Sequence, residues 1–276
     1  MLSGRNYAFL ANENPICDID DHIQFDETSH TYKVDGEIVP MSTTKVVSGV
    51  IAERPFEPDV IIRKNLASWR SKPNSKYGAI IKGSSDADAT LKLKELWASS
   101  NVLGTKLHKR LEASLNDEIE PDDGVTDVEW RVLEVELAKL QSLGWVPRRT
   151  ELSLWWEREH DGKVVCAGQL DALFTDANDD LVIVDLKRTD HDLSPEKIPF
   201  GNKLCNSPIE HLYASDFHKY SLQQSIYAVM FTQRTGLEIA PGRRYLLQAH
   251  PSMPAVLWTQ CLDLDKEARQ LLNALE

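Results

Sequence analysis

Past Gly144 the hydrophobic period of the chain changes from that of a helix to that of a strand, and one hairpin there constrains the rest. Thr150–Glu159 alternates, Asp161-Gly162 turns, and Lys163–Thr175 alternates again. A polar loop at Asp176–Asp180 leads into Leu181–Arg188, which opens on a continuous apolar run. Centring that loop on Asn178 sets Asp171 opposite Asp185 and Gln169 opposite Lys187. Side chains alternate along a strand, so Asp171, Asp185 and Lys187 share one face, while Leu170, Ala172, Val184 and Leu186 share the other. Two opposed carboxylates repel each other, and beside an apolar run they call for a cation. Hard oxygen ligands suit Mg²⁺ or Mn²⁺, with Lys187 placed to hold a water or offset developing charge. The competing explanation from spacing alone is an exposed Asp185–Lys187 ion pair.

The surroundings of this meander predict an α+β fold with a mixed central β-sheet flanked by helices and a helical N-terminal portion. His22–Pro40 reads as a hairpin, with Thr31–Val34 and Glu37–Val39 joined by an Asp35-Gly36 turn. Ser42 or Thr43 caps a short helix through Ile51, and Pro55 and Pro58 precede a helix over Asp59–Arg70. Lys72–Ser85 reads as a loop, Asp86–Leu115 as a long helix interrupted near Asn101–Gly104, and Pro121–Gly124 as an acidic turn. Thr126–Leu143 is a helix with a capping-type start. After the meander come a connection over Asp190–Pro208, a helix over Ile209–Arg234 ended by Gly236, strands at Arg243–His250 and Val256–Leu262, and a closing helix over Asp265–Leu275. The division expected is a hairpin and helical region with a basic segment over residues 1–95 and a core over 96–276, the two forming one compact unit.

Composition removes other classes. Cys17, Cys166, Cys205 and Cys261 are scattered, with no paired spacing that would hold zinc or an iron–sulfur cluster. Met1–Asn14 has one arginine and no apolar core, so no targeting peptide is expected, and no run is long enough to span a bilayer. A cytoplasmic setting, in a bacterial or phage-infected cell, is the expectation, with an organelle or the nucleus as the alternative. The net charge of −12 argues at first sight against a polyanionic partner. Its distribution argues otherwise: Val60–Arg110 holds eleven basic residues against three acidic ones, so that stretch is +8 and the remainder −20.

Three motifs then fall in one order. Gly168-Gln169-Leu170-Asp171 followed by Ile183-Val184-Asp185-Leu186-Lys187 resembles the core of the PD-(D/E)XK nuclease superfamily. Gln223-Gln224-Ser225-Ile226-Tyr227 resembles the Q-x-x-x-Y motif of its RecB-like branch, and Gly104-Thr105-Lys106-Leu107-His108 resembles that branch's G-T-x-x-H motif. The likeness runs over about Trp97–Met230, and the Tyr32–Val39 hairpin is similar to viral and organellar members. Departures are Leu170 in place of the proline, Asp185 in place of the commoner glutamate, no four-cysteine frame, and no G-x-x-x-x-G-K-[ST] loop.

The resemblance implies a restriction-endonuclease-like core that hydrolyses DNA phosphodiester bonds with Mg²⁺ or Mn²⁺ and without an iron–sulfur cluster or nucleotide cofactor. It implies an exonuclease on single-stranded ends or end-bearing duplex, in replication, recombination or repair, with a single-strand-binding or recombination protein as a further partner. His108, Asp171 and Asp185 would bind metal, Lys187 would assist the nucleophile, and Gln223 and Tyr227 would position the strand. Glu112, one turn after His108, and Glu151, at the start of the meander, would support them. Lys106, Lys109, Arg110 and Arg188 would contact nucleic acid, and Trp69 and Tyr77 are candidates for base stacking. An idle binding or assembly protein on the same fold is the alternative, disfavoured because Asp171, Asp185 and Lys187 are all present. A hydrolase of small phosphoesters is disfavoured by the basic segment.

Overall fold

The computed structural model describes residues 7–51, 56–119 and 124–275. Its elements in chain order begin with α1 (Phe9–Glu13), α2 (Cys17–Asp20), β1 (Ile23–Asp26), β2 (Thr31–Val34), β3 (Glu37–Ile38), β4 (Met41–Ser42) and α3 (Thr43–Val50). Helices α4 (Pro58–Arg70), α5 (Lys76–Ile81), α6 (Asp86–Leu115) and α7 (Asp127–Ser142) follow. The meander is β5 (Val146–Glu157), β6 (Val164–Thr175) and β7 (Leu181–Lys187). Then come α8 (Asp216–Thr235), β8 (Arg244–Gln248), β9 (Leu257–Gln260) and α9 (Asp265–Asn273). The chain is an α+β protein with a mixed sheet and flanking helices, as its pattern predicts.

Two compact units divide it: Met1–Glu53 with Leu107–Glu276, and Arg54–Lys106. These bounds differ from the division expected at residue 95. The N-terminal hairpin belongs with the larger unit because Ile23, Val34 and Val39 enter the same apolar core as Leu152, Leu170 and Ile226. The smaller unit has its own core of Ile62, Ile81, Ala89 and Leu93.

In the larger unit β1, β2 and β3 form one antiparallel sheet, and β4-β6-β7-β8-β9 form a second with β5 paired to β6. Asp35 and Gly36 both have positive φ, the backbone that a two-residue hairpin turn requires. The parallel pair β7/β8 needs a crossover, and α8 supplies it. Strand β7 is buried on both faces, which explains its unbroken apolar run.

Several local expectations hold. Ser42 caps α3 by accepting from the Lys45 N–H at 3.3 Å, Pro58 opens α4, and Gly236 ends α8 in the left-handed region. Others are corrected. The loop over Lys72–Ser85 contains α5, capped by the Ser75 hydroxyl on the Gly78 N–H; polar composition hid a short capped helix. Helix α6 runs unbroken through Asn101–Gly104, and Thr126 precedes α7 without a side-chain cap. Helix α8 starts at Asp216, not Ile209, because Ser215 takes the His218 N–H and so fixes the first turn. Of the acidic turn, residues 121–123 lie outside the described residues.

Candidate metal centre

The site forms where the sheet parts. β6 pairs with β7 from Thr175↔Leu181 to Ala172↔Val184, the register expected from a loop centred on Asn178. There the ladder stops. β4 takes up β6 again only at Ala167 and Cys166, so residues 168–171 run past an opening. Asp171 stands at its first position. Its Oδ2 accepts the Leu186 N–H at 2.8 Å, replacing the ladder bond the parting strands give up.

Gly168 marks the other end. A side-chain carbon there would stand 2.4 Å from Thr43 Oγ1 and 2.8 Å from Tyr227 Cε1. The missing side chain is what lets the Tyr227 ring lie against β6. Gly168→Ala is expected to cost about 1–3 kcal/mol, as overpacking of a fitted interior does. Urea denaturation reads this; an unchanged midpoint would contradict the close approach.

Across β6, β5 is irregular at the same level. Thr150↔Ala172 and Leu152↔Leu170 flank Glu151, which faces Asp171 with a φ of 46°. A left-handed non-glycine residue costs on the order of 1–3 kcal/mol and tends to persist at functional sites. It breaks the alternation. Thr150 Oγ1 accepts from Asn116, just past the end of α6, whereas Leu152 joins the core cluster that holds Leu170. Leu170 therefore does not share a core face with Ala172, Val184 and Leu186, as strict alternation had it; those three pack in a separate cluster.

Into this opening α6 brings His108, whose Nδ1 lies 3.3 Å from Asp171 Oδ2. Ligand atoms of His108, Glu151 and Asp171 all lie within 4.8 Å of one another. Glu112, four residues after His108, is buried. Burial pushes the Glu151 carboxyl well above the usual range, and Asp171, Glu112, Asp185 and Glu27 add to the shift. Acids gathered this closely in a partly buried place repel one another, a cost that a cation would offset.

Asp185 lies outside the compact trio, a difference from the expected ligand set. Its Oδ1 accepts from Gln224 Nε2 at 2.8 Å and its Oδ2 pairs with Lys187 Nζ at 2.6 Å. Burial raises its pKa to about 6, opposed by Lys187 and assisted by Asp171. Burial alone would lower the Lys187 ammonium, but Asp185 and Asp171 outweigh it and hold that group above the usual lysine range. Lys187 also sits over the Tyr220 ring, 4.5 Å from its centroid.

The expected Gln223–Tyr227 pair is present: Gln223 Nε2 donates to the Tyr227 hydroxyl at 3.0 Å. Burial, with Tyr32, Asp185 and Asp171 nearby, raises the Tyr227 phenol well above its usual range, so it stays neutral. Tyr32, from the N-terminal hairpin, is raised by burial and by Glu151. Tyr220 and Gln224 were not anticipated. Their only signals were a doubled glutamine and a tyrosine four residues before its second member.

The cations expected to meet nucleic acid are largely engaged. Arg188 is withdrawn from solvent, its Nε 2.6 Å from the buried Glu129, because a buried carboxylate needs a counter-charge. Arg110 pairs with Asp127 at 2.8 Å and covers the Trp130 ring, and Lys109 pairs with Glu27 at 3.2 Å. Lys106 is half-buried on α6. Trp69 and Tyr77, the stacking candidates, pack on each other at 4.7 Å and on Trp97 in the smaller unit's core. No described helix is long and apolar enough to cross a membrane.

The sequence matches no protein-family model, and no curated protein matches it. Among solved structures, one described as "Crystal structure of SSO0001" is similar over 84% of this chain and 72% of its own. The two are 14% identical and superpose with a TM-score of 0.35, too loose a likeness to carry an argument.

Proposed function

We propose that the protein is a metal-dependent nuclease that hydrolyses DNA phosphodiester bonds, acting on single-stranded ends. The observation that carries this reading is a lysine held charged 2.6 Å from a buried aspartate, at the point where two strands part beside a histidine and two further carboxylates. The raised carboxyls of Glu151 and Asp185 are what a cation would relieve, and the His108, Glu151 and Asp171 ligand atoms lie close enough to share one, so the residues fit a divalent ion. His108, Glu151 and Asp171 would hold it, with Asp185 beside them. Mg²⁺ or Mn²⁺ supplies charge neutralisation at a phosphate and makes a water more acidic.

The chain's own groups divide the remaining work. Lys187 stays an ammonium and so acts as a charge, not a base: it stabilises the negative charge that grows on the phosphate oxygens. Asp185 would complete the ion's oxygen ligands on the side that Lys187 occupies. The neutral Tyr227 phenol, aligned by Gln223, offers a hydrogen bond to the strand.

Linear and circular single strands of the same sequence test the end requirement. Linear DNA is expected to be degraded in Mg²⁺ while the circle survives. Persistence of both with Mg²⁺ or Mn²⁺ would remove the reading, and equal loss of both would make it an endonuclease.

A further inference from the structure

Helix α8 presents two pairs of residues four apart to the catalytic strand. Gln223 and Tyr227 bond each other. Tyr220 and Gln224 do something different: each holds one member of the Asp185–Lys187 pair. Gln224 is fully buried, yet only half of its amide is used. Its Nε2 donates to Asp185 Oδ1, while its Oε1 has no hydrogen-bond partner. A buried amide oxygen left without a partner costs about 1–3 kcal/mol, so the residue is poorly explained as packing. A leucine there would fill similar space at no such cost.

We infer that Gln224 is a positioning residue that fixes Asp185 Oδ1, leaving Oδ2 beside Lys187 as the oxygen that turns to a cation. The inference rests on the nuclease reading and deepens it. A carboxylate attached to a strand through two rotatable bonds has two equivalent oxygens. At Asp185 they are made inequivalent, since Oδ1 meets a neutral donor and Oδ2 meets an ammonium. A cationic donor in place of Gln224 would cancel the charge that the site needs. A carboxylate would add another acid to a cluster already raised by burial and mutual repulsion. A neutral, fully buried donor holds Asp185 in one rotamer and leaves its charge in place. Donor groups behind metal ligands set ligand orientation in this way, and their loss weakens metal affinity or activity by about 10- to 100-fold.

The test uses Gln224→Leu and Gln224→Met, which both delete the donor, the second with a side chain of similar length. Mn²⁺ affinity is read by calorimetry on protein shown to melt cooperatively. DNA affinity is read by anisotropy in EDTA, and cleavage is resolved into kcat and KM. Both variants are expected to lose about 10- to 100-fold in Mn²⁺ affinity and in kcat, with DNA affinity and KM close to wild type. In an Asp185→Asn background the Gln224→Leu change should cause no further loss of Mn²⁺ affinity, because Gln224 acts through that carboxylate. If Gln224→Leu fails to melt cooperatively, Gln224→Met decides. Wild-type Mn²⁺ binding and turnover in a folded Gln224 variant, or an undiminished loss in the Asp185→Asn background, would overturn the inference and leave the nuclease reading standing. A wild-type protein that neither binds Mn²⁺ nor cuts DNA would overturn both.

Discussion

Lys187→Ala is expected to lower DNA cleavage by about 10²- to 10³-fold, the usual cost of deleting one preorganised charge that acts on the transition state. DNA binding, measured in EDTA, should change little, because one buried ammonium contributes little to a long polyanion's hold on the protein. The geometry adds a second consequence. Lys187 is the cation that holds Asp185 down against burial, so without it the Asp185 carboxyl rises further. The acid limb of any residual activity should therefore move to higher pH in the alanine variant. Lys187→Arg is not a conservative control: the planar guanidinium replaces a compact ammonium wedged between Asp185 and the Tyr220 ring. If Lys187→Ala cuts at the wild-type rate, the lysine's role is wrong even if the protein is a nuclease.

Changing Asp171 and Asp185 together to asparagine should abolish the response to metal. The backbone and Gln224 hydrogen bonds survive, since an asparagine oxygen still accepts from the Leu186 N–H and from Gln224. What is lost is charge. At Mn²⁺ about 100-fold above its dissociation constant, wild-type protein should gain about 2.7 kcal/mol of stability, and the double variant none. The gain should depend on pH with a definite sign. Asp185 has a pKa of about 6, so below that value a proton occupies the carboxylate that a cation needs. The Mn²⁺-induced rise in Tm should therefore shrink as pH falls through 6 and be fully developed above about 7. The metal-free protein behaves oppositely. A carboxyl whose pKa is raised on folding holds its proton more tightly in the native state, so its contribution to stability falls as pH rises from the ordinary aspartate range through 6. A double variant that keeps the wild-type Mn²⁺ shift would place the ion elsewhere.

The hairpin was legible because its loop is short and strand side chains alternate, so one assumption about Asn178 set every pair from Ala172↔Val184 to Thr175↔Leu181. Helix-face partners at a spacing of four, such as Gln223 and Tyr227, were legible for the same reason: local geometry fixes them. What was hidden depends on contacts far apart in sequence. The parallel pairing of Met41 and Ser42 with Cys166 and Ala167 spans more than a hundred residues, and two-residue strands carry no period. The left-handed Glu151 broke an alternation that looked regular and set its own carboxylate in the metal trio, and Leu170 packs in a different cluster from Ala172. Arg188 read as a free cation beside the motif, since nothing local announces its partner Glu129, 59 residues earlier on α7. Gln224 was masked by its neighbour Gln223, because a motif written with one glutamine cannot say which of two reaches the strand.

End-labelled single-stranded DNA incubated with the wild-type protein in Mn²⁺ and in EDTA tests the central claim most directly. The account predicts progressive shortening of the strand in Mn²⁺ and an intact label in EDTA. An intact strand in Mn²⁺, at protein concentrations that bind the DNA, would contradict it.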